Sequence, residues 1–181
     1  QSVLFRSKTM SGDVMNIKKI RVDKEGAGMG WGAVYAQYLE SMDQISGQGN
    51  GLSVSRQLYK GDEALNESAP LKVGDKITVR LTVKADRDMD FVQIKDDRAA
   101  CMEPLQAVSG FRWSNGLGYY QATKDASTQF FIDQMRKGTY VIEYQVYVNR
   151  TGEYQAGIAT VQSAYAPEFG GHTGGYRVMV E

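Results

Sequence analysis

The chain is poor in the residues that most often carry chemistry. A single cysteine, Cys101, forbids an internal disulfide, so cysteine usage leaves the redox compartment open. A single histidine, His172, leaves a Ser or Cys nucleophile with little choice of positioned base. Charge of one sign is not in excess: 21 basic residues balance 21 acidic ones. That balance argues against nucleic acid or an anionic membrane surface as a partner, both of which need a basic face. No apolar run approaches the ~20 residues of a membrane span, so direct membrane insertion is not expected. Low-complexity tracts and internal repeats are also missing. The chain opens Gln1-Ser2-Val3, with neither an initiator Met nor a signal peptide, and is expected to be a fragment or processed product of a larger protein.

What remains is the composition of one globular β domain. The 181 residues suffice for one well-buried core. Eleven tyrosines, with many Val and Thr, favour strands over helices. Lys76 to Val83 alternates most regularly, placing Ile77, Val79, Leu81 and Val83 on one face and Lys76, Thr78, Arg80 and Thr82 on the other. Leu52–Tyr59, Phe91–Ile94, the pair Tyr119–Gln121 and Thr128–Ile132, and a terminal Gly175–Val180 read as further strands. Met15–Val22 reads as a first strand. Trp31–Leu39 fits a helix or a strand by spacing, and its aromatic content and flanking glycines favour strand. Tyr140 to Val148 alternates over a long stretch, Asn149-Arg150-Thr151-Gly152 supplies turn chemistry, and a second run follows to Ser163. These predict a long β-hairpin that must lie against a second sheet. The fold class expected is an all-β, immunoglobulin-like sandwich of two antiparallel sheets.

Few constellations suggest a site. Cys101-Met102-Glu103-Pro104 approximates the C-x-E-Q arrangement of an internal thioester, but Pro104 has no side-chain carbonyl to act as acyl partner, so Cys101 reads as a small buried residue. Asp86-Arg87-Asp88-Met89-Asp90 has oxygen spacing reminiscent of calcium loops. Phe91 stands where such a loop needs Gly, and a solvated turn is the better reading. His172, within Gly170-Gly171-His172-Thr173-Gly174-Gly175, reads as an exposed loop residue. Gly26-Ala27-Gly28-Met29-Gly30 fails the phosphate-cradle spacing. Asn66-Glu67-Ser68 and Asn149-Arg150-Thr151 match the glycosylation sequon, which is too common to weigh. No catalytic residue, metal site or cofactor is expected. The bulky group Tyr165, Pro167 and Phe169, beside a glycine loop, reads either as a lid on the core or as a contact surface.

Two long stretches carry a family resemblance. VGDKITVRLTVKADRDMDFVQIKDDRAACMEP and YYQATKDASTQFFIDQMRKGTYVIEYQVYVNRTGEYQAGIATVQSAYAPEF, preceded by GWGAVYAQYLESMDQI and LSVSRQLYK, resemble the C-terminal macroglobulin-like domain of bacterial α2-macroglobulins. The resemblance spans roughly residues 14 to 180, with 1–13 as an N-terminal extension or the tail of a preceding domain and 14–181 as the β-sandwich. It implies a non-catalytic domain of a large protease-trapping inhibitor of the periplasm or cell envelope. Its partners would be other domains of the same polypeptide, above all a thioester domain that it packs against and helps shield, and target proteases through the full-length protein. The family's C-x-E-Q motif belongs to another domain and is absent here. Tyr165, Pro167 and Phe169, with Trp31, are the expected interdomain contacts. The alternative is a stand-alone cell-surface adhesion or carbohydrate-binding sandwich, since this architecture hosts many functions.

Overall fold

A computed structural model describes residues 21, 23–30, 39–66 and 69–181. The chain forms two compact units, 1–39 and 40–181. Within the first, a bend at Gly26–Gly28 uses glycines at φ 87° and 117°. The readings of Met15–Val22 and Trp31–Leu39 fall, but for Arg21 and Leu39, outside the described residues, as does the boundary expected near residue 13.

The second unit contains fourteen strands and no α-helix among its described residues: β1 Gln48–Asn50, β2 Leu52–Lys60, β3 Glu63–Ala64, β4 Lys76–Ala85, β5 Met89–Asp97, β6 Met102–Pro104, β7 Gly110–Ser114, β8 Leu117–Thr123, β9 Ser127–Met135, β10 Gly138–Val148, β11 Gly152–Ala156, β12 Ala159–Ser163, β13 Gly170–His172 and β14 Tyr176–Val180. One layer runs β6-β10-β4-β2 and the other β13-β12-β5-β9-β8-β7. Short β1 joins them, pairing antiparallel with β13 and meeting β2 at Asn50↔Leu52. A separate ribbon, β11-β14, adds Ala156, Val178 and Val180 to the core.

Alternation explains why the layers face each other. In β4, Ile77, Val79, Leu81 and Val83 are all buried, as expected from their spacing. In β10, Ile142, Tyr144, Val146 and Val148 do the same. Phe130 of β9 lies between Tyr119 of β8 and Tyr144 of β10, with ring centroids 5.6 and 5.9 Å away.

The hairpin expected from 140 to 163 does not form. β10 pairs with β4 along nearly its whole length and with β6 at its end, so both its edges are taken. The turn after Val148 carries the chain out of that layer into β11, which pairs with β14 instead. The second run is itself two strands in different sheets. Between them, a Cβ on Gly157 would sit 2.4 Å from Cβ of Asp97, so only glycine lets the chain pass there. His172 also departs from expectation. It belongs to β13 and is half-buried, with Nδ1 3.1 Å from the Thr173 carbonyl. The glycines beside it serve close packing: a Cβ on Gly171 would lie 2.7 Å from the carbonyls of Gln48 and Leu52.

A buried polar group crosses the layers. Arg56 of β2 donates from Nη1 to Asp96 Oδ1 of β5 at 2.5 Å and from Nη2 to the Gly157 carbonyl at 2.5 Å. Tyr144 of β10 donates to Asp96 Oδ2 at 2.7 Å. The Arg56 side chain is 5% exposed and that of Asp96 1%. Burial disfavours the guanidinium's charge, but the Asp96 carboxylate together with the Tyr176 and Tyr144 phenols offsets this and holds Arg56 above its ordinary value. The guanidinium also lies 4.6 Å from the ring centroid of Tyr176. Burial pushes the Tyr176 phenol up to about 12, and it raises Tyr144 as well, with Asp96 adding to that shift.

Removing Asp96 strands a buried cation. Asp96→Ala is expected to cost about 3–5 kcal/mol, whereas Glu143→Ala, which breaks the half-exposed Arg80–Glu143 pair on the outer face of β4 and β10, should cost far less. Urea denaturation of both variants checks the contrast. The phenols give a pH dependence of definite sign. Folded values above the ordinary tyrosine value of about 10 mean that the unfolded chain loses its protons first. Stability is therefore expected to hold up to about pH 10 and to fall as pH rises towards 12. Tyr176→Phe should soften that fall, as read by unfolding midpoints across the alkaline range.

Candidate interaction face

The layer β5-β9-β8-β7 has its inner face in the core and its outer face lined with aromatic rings. Registration explains the arrangement. Phe111 of β7 stands opposite Tyr120 of β8, which stands opposite Phe131 of β9. The Phe111 and Tyr120 rings meet edge-to-face at 5.1 Å. Two pairs along, on the same face, Trp113 stands opposite Gly118, where a Cβ would lie 2.9 Å from the indole ring. The glycine lets Trp113 lie down on the strand. Phe111 is 81% exposed and Trp113 77%.

Phe91 joins this face by a backbone distortion. In β5, Met89, Val92, Ile94 and Asp96 are all buried, while Asp90 and Phe91 are consecutive exposed residues. Strict alternation would turn one of them inward. Phe91 instead adopts φ 52°, in the left-handed region that a bulky residue rarely enters. The opposing strand β9 has a matching break, with Asp133 and Gln134 both exposed before buried Met135. Phe91 then meets Tyr165 edge-to-face at 5.1 Å. Such strain costs about 1–2 kcal/mol, and here it brings an aromatic ring to the surface. The rings border a concavity of about 1060 Å³ flanked by Asp90, Asp133 and Arg112.

The residues expected as contacts separate in space. Tyr165, 79% exposed, belongs to the aromatic face through Phe91. Phe169 is half-buried, packed over Gly51 and against the core, with the Arg87 guanidinium 4.7 Å above its ring. Pro167 is exposed, and its carbonyl accepts from Gln162 Nε2 at 3.2 Å. Trp31 lies outside the described residues. Phe91, Phe111, Trp113, Tyr120 and Phe131 were not singled out from sequence. The signal available was Gly110–Ser114, where Phe111 and Trp113 alternate with Arg112.

The groups considered for chemistry are otherwise engaged. Cys101 is fully buried, burial pushes its thiol up, and its carbonyl accepts from the Asn149 N–H. Among the acidic turn residues, Asp86 pairs with Arg87, whose hydrogen bond holds the carboxyl below its ordinary value, and Asp88 accepts from the Lys137 N–H at 2.7 Å.

If the rings form a contact face and not a core, their removal should be tolerated. Tyr165→Ala and Trp113→Ser are each expected to shift stability by less than about 1.5 kcal/mol. Phe91→Gly should be near neutral, because lost ring contact offsets relieved strain. Phe169→Ala should cost roughly 2 kcal/mol, part of the loss seen for a fully buried Phe. Thermal unfolding of the four variants separates surface from lid.

The chain matches the family described as the bacterial alpha-2-macroglobulin MG10 domain over residues 51–168, well over half its length. Its fold is similar to that of Salmonella alpha-2-macroglobulin reacted with methylamine, at 20% identity and TM-score 0.62, over 75% of this chain and 10% of that one. It is similar to trypsin-activated alpha-2-macroglobulin from Escherichia coli, at 15% identity and TM-score 0.64, over 76% of this chain and 11% of that one. A third similarity is to native Escherichia coli alpha-2-macroglobulin spanning domain MG7 to the C-terminus, at 17% identity and TM-score 0.63, over 75% of this chain and 24% of that one. Among curated proteins, circularly permutated Ras protein 2 of Dictyostelium discoideum is 29% identical over 138 residues, 72% of this chain and 4% of its own length. The chain thus spans a small part of each relative.

Proposed function

Starting from the chain's membership of the bacterial α2-macroglobulin family, as its MG10 domain, we propose that it is a non-catalytic packing module of a protease-trapping polypeptide in the cell envelope. Its aromatic face seats against a neighbouring domain and helps keep a thioester there from water and small amines. The observation that carries this reading is the outer face of β5-β9-β8-β7, with Tyr165 beside it, where Phe111, Trp113 and Tyr165 are each more than three-quarters exposed. Contiguous apolar surface of this kind marks interaction sites, and Trp and Tyr dominate the residues that carry binding energy. The strained Phe91 adds to the same surface. Proteases are then met through the whole polypeptide, not by a site on this domain.

The same face also offers a second reading. Flat rings beside the Asp90 and Asp133 carboxylates would suit stacking and hydrogen bonding to a sugar, the behaviour expected of an adhesion or carbohydrate-binding module.

The deciding experiment uses the full-length parent and a variant carrying Phe91→Gly, Phe111→Ser and Trp113→Ser, with thiol release followed after methylamine addition. Release several-fold faster from the variant is the expected result. Equal rates, or no release from either protein, would overturn the shielding role. Glycan-dependent quenching of Trp113 fluorescence in the isolated chain would favour the second reading.

A further inference from the structure

Away from the aromatic face, a groove of about 470 Å³ separates β2 from β14. We propose that this groove accepts an extended strand from elsewhere in the longer polypeptide, added to the open edge of β2.

The backbone pattern of β2 makes the case. The Asp86 N–H donates to the Gly51 carbonyl, and β2 pairs with β4 from Leu52↔Ala85 to Tyr59↔Thr78. Odd-numbered residues of β2 therefore aim their peptide groups at β4, and even-numbered residues aim theirs away. The outward edge is covered at both ends. Asn50 meets Leu52 at one end, and at the other the Leu58 carbonyl accepts from the Leu65 N–H while β3 pairs with Tyr59 and Lys60. Between them, the outward peptide groups of Val54 and Arg56 have no partner among the described residues. Main-chain groups left open beside apolar walls are costly and form a template for strand addition.

The facing wall is β14. On the edge of β14 turned away from β11, the Leu71 N–H donates to the Met179 carbonyl and the Glu181 N–H donates to the Leu71 carbonyl. At the opposite end, the Gly175 N–H donates to the Ile45 carbonyl. Chain thus runs along both ends of this edge, and the groove lies between β14 and the open edge of β2. Its apolar walls include Val54, Leu58, Leu65, Leu71 and Val178, with Arg56 and Arg177 beside them. Peptide recognition by strand addition combines these two features, an open edge for main-chain bonds and apolar pockets for alternate side chains. The occupant that fits has apolar residues at every second position and no proline opposite Val54 or Arg56.

Its source follows from the family reading, on which this inference rests. The chain covers only 10–24% of the solved relatives it resembles, so most of what the domain meets is its own polypeptide. Tethering raises the effective concentration of such a segment far above that of a free partner.

Hydrogen exchange of the full-length parent, compared with the 181-residue chain alone, tests the proposal. The Val54 and Arg56 amides are expected to exchange at least tenfold more slowly in the parent, with β4 amides unchanged. Val54→Pro removes an outward donor without removing a bond to β4, and in the parent it should restore fast exchange at Arg56. Leu65→Asp, which places a charge in the groove, should do the same should the proline variant misfold. Slow exchange at both amides already in the chain alone would overturn the proposal, because the edge would need no added strand. Protection of 110–120 without protection of 54 and 56 would overturn it while leaving the aromatic-face reading intact. Protection at neither segment would overturn both.

Discussion

The hydrogen-bonded group of Arg56, Asp96 and Tyr144 fixes how the two layers of this sandwich meet. Apolar side chains drive the layers together but tolerate sliding, because burial is non-directional. A guanidinium and a carboxylate with almost no access to water tolerate far less, since a small shift would leave charge unpaired in a medium of low polarity. Three strands, β2, β5 and β10, contribute one side chain each. The Gly157 carbonyl adds the corner between β11 and β12 to the same centre. One interaction therefore sets the layer register, the point where the chain changes sheets, and the position of Tyr176 on β14 above the guanidinium.

With the inner face fixed in this way, the outer face of β5-β9-β8-β7 is free to be shaped for another purpose. The paired breaks at Asp90-Phe91 and Asp133-Gln134 leave Met89 and Met135 in the core while adding a ring to the exterior. A strand optimised for its own sheet would have no reason to hold a phenylalanine at φ 52°. That outlier and the flat-lying Trp113 stand on the face proposed above to meet a neighbouring domain.

Strands that alternate between apolar and polar residues were legible in the sequence: β2, β4, the β8–β9 pair and β14 all stand where their spacing placed them. Pairing was less legible. Tyr140–Val148 and the run after it look like neighbours because a turn joins them, but both edges of β10 are satisfied by strands far away in sequence. Local turn chemistry carries no information about that competition. Glycines misled in the same direction. Gly170 and Gly171 read as loop flexibility, whereas they permit the close crossing where β13 meets β1. The aromatic face escaped notice because a period of two separates two faces without saying which is the outer one. Phe130 and Phe131 are adjacent and chemically alike, yet one is fully buried and the other exposed.

The bridge between layers has a consequence for how the domain comes into being. β1, near residue 50, finds its long-range partner in β13, near residue 170, and β11 pairs with β14. On a ribosome, nearly the whole domain must be made before either ladder closes. Until then the nascent chain carries paired interior strands with open flanks, the state in which β proteins fold slowly and associate wrongly. Passage through that interval exposes the growing chain to mispairing at those flanks.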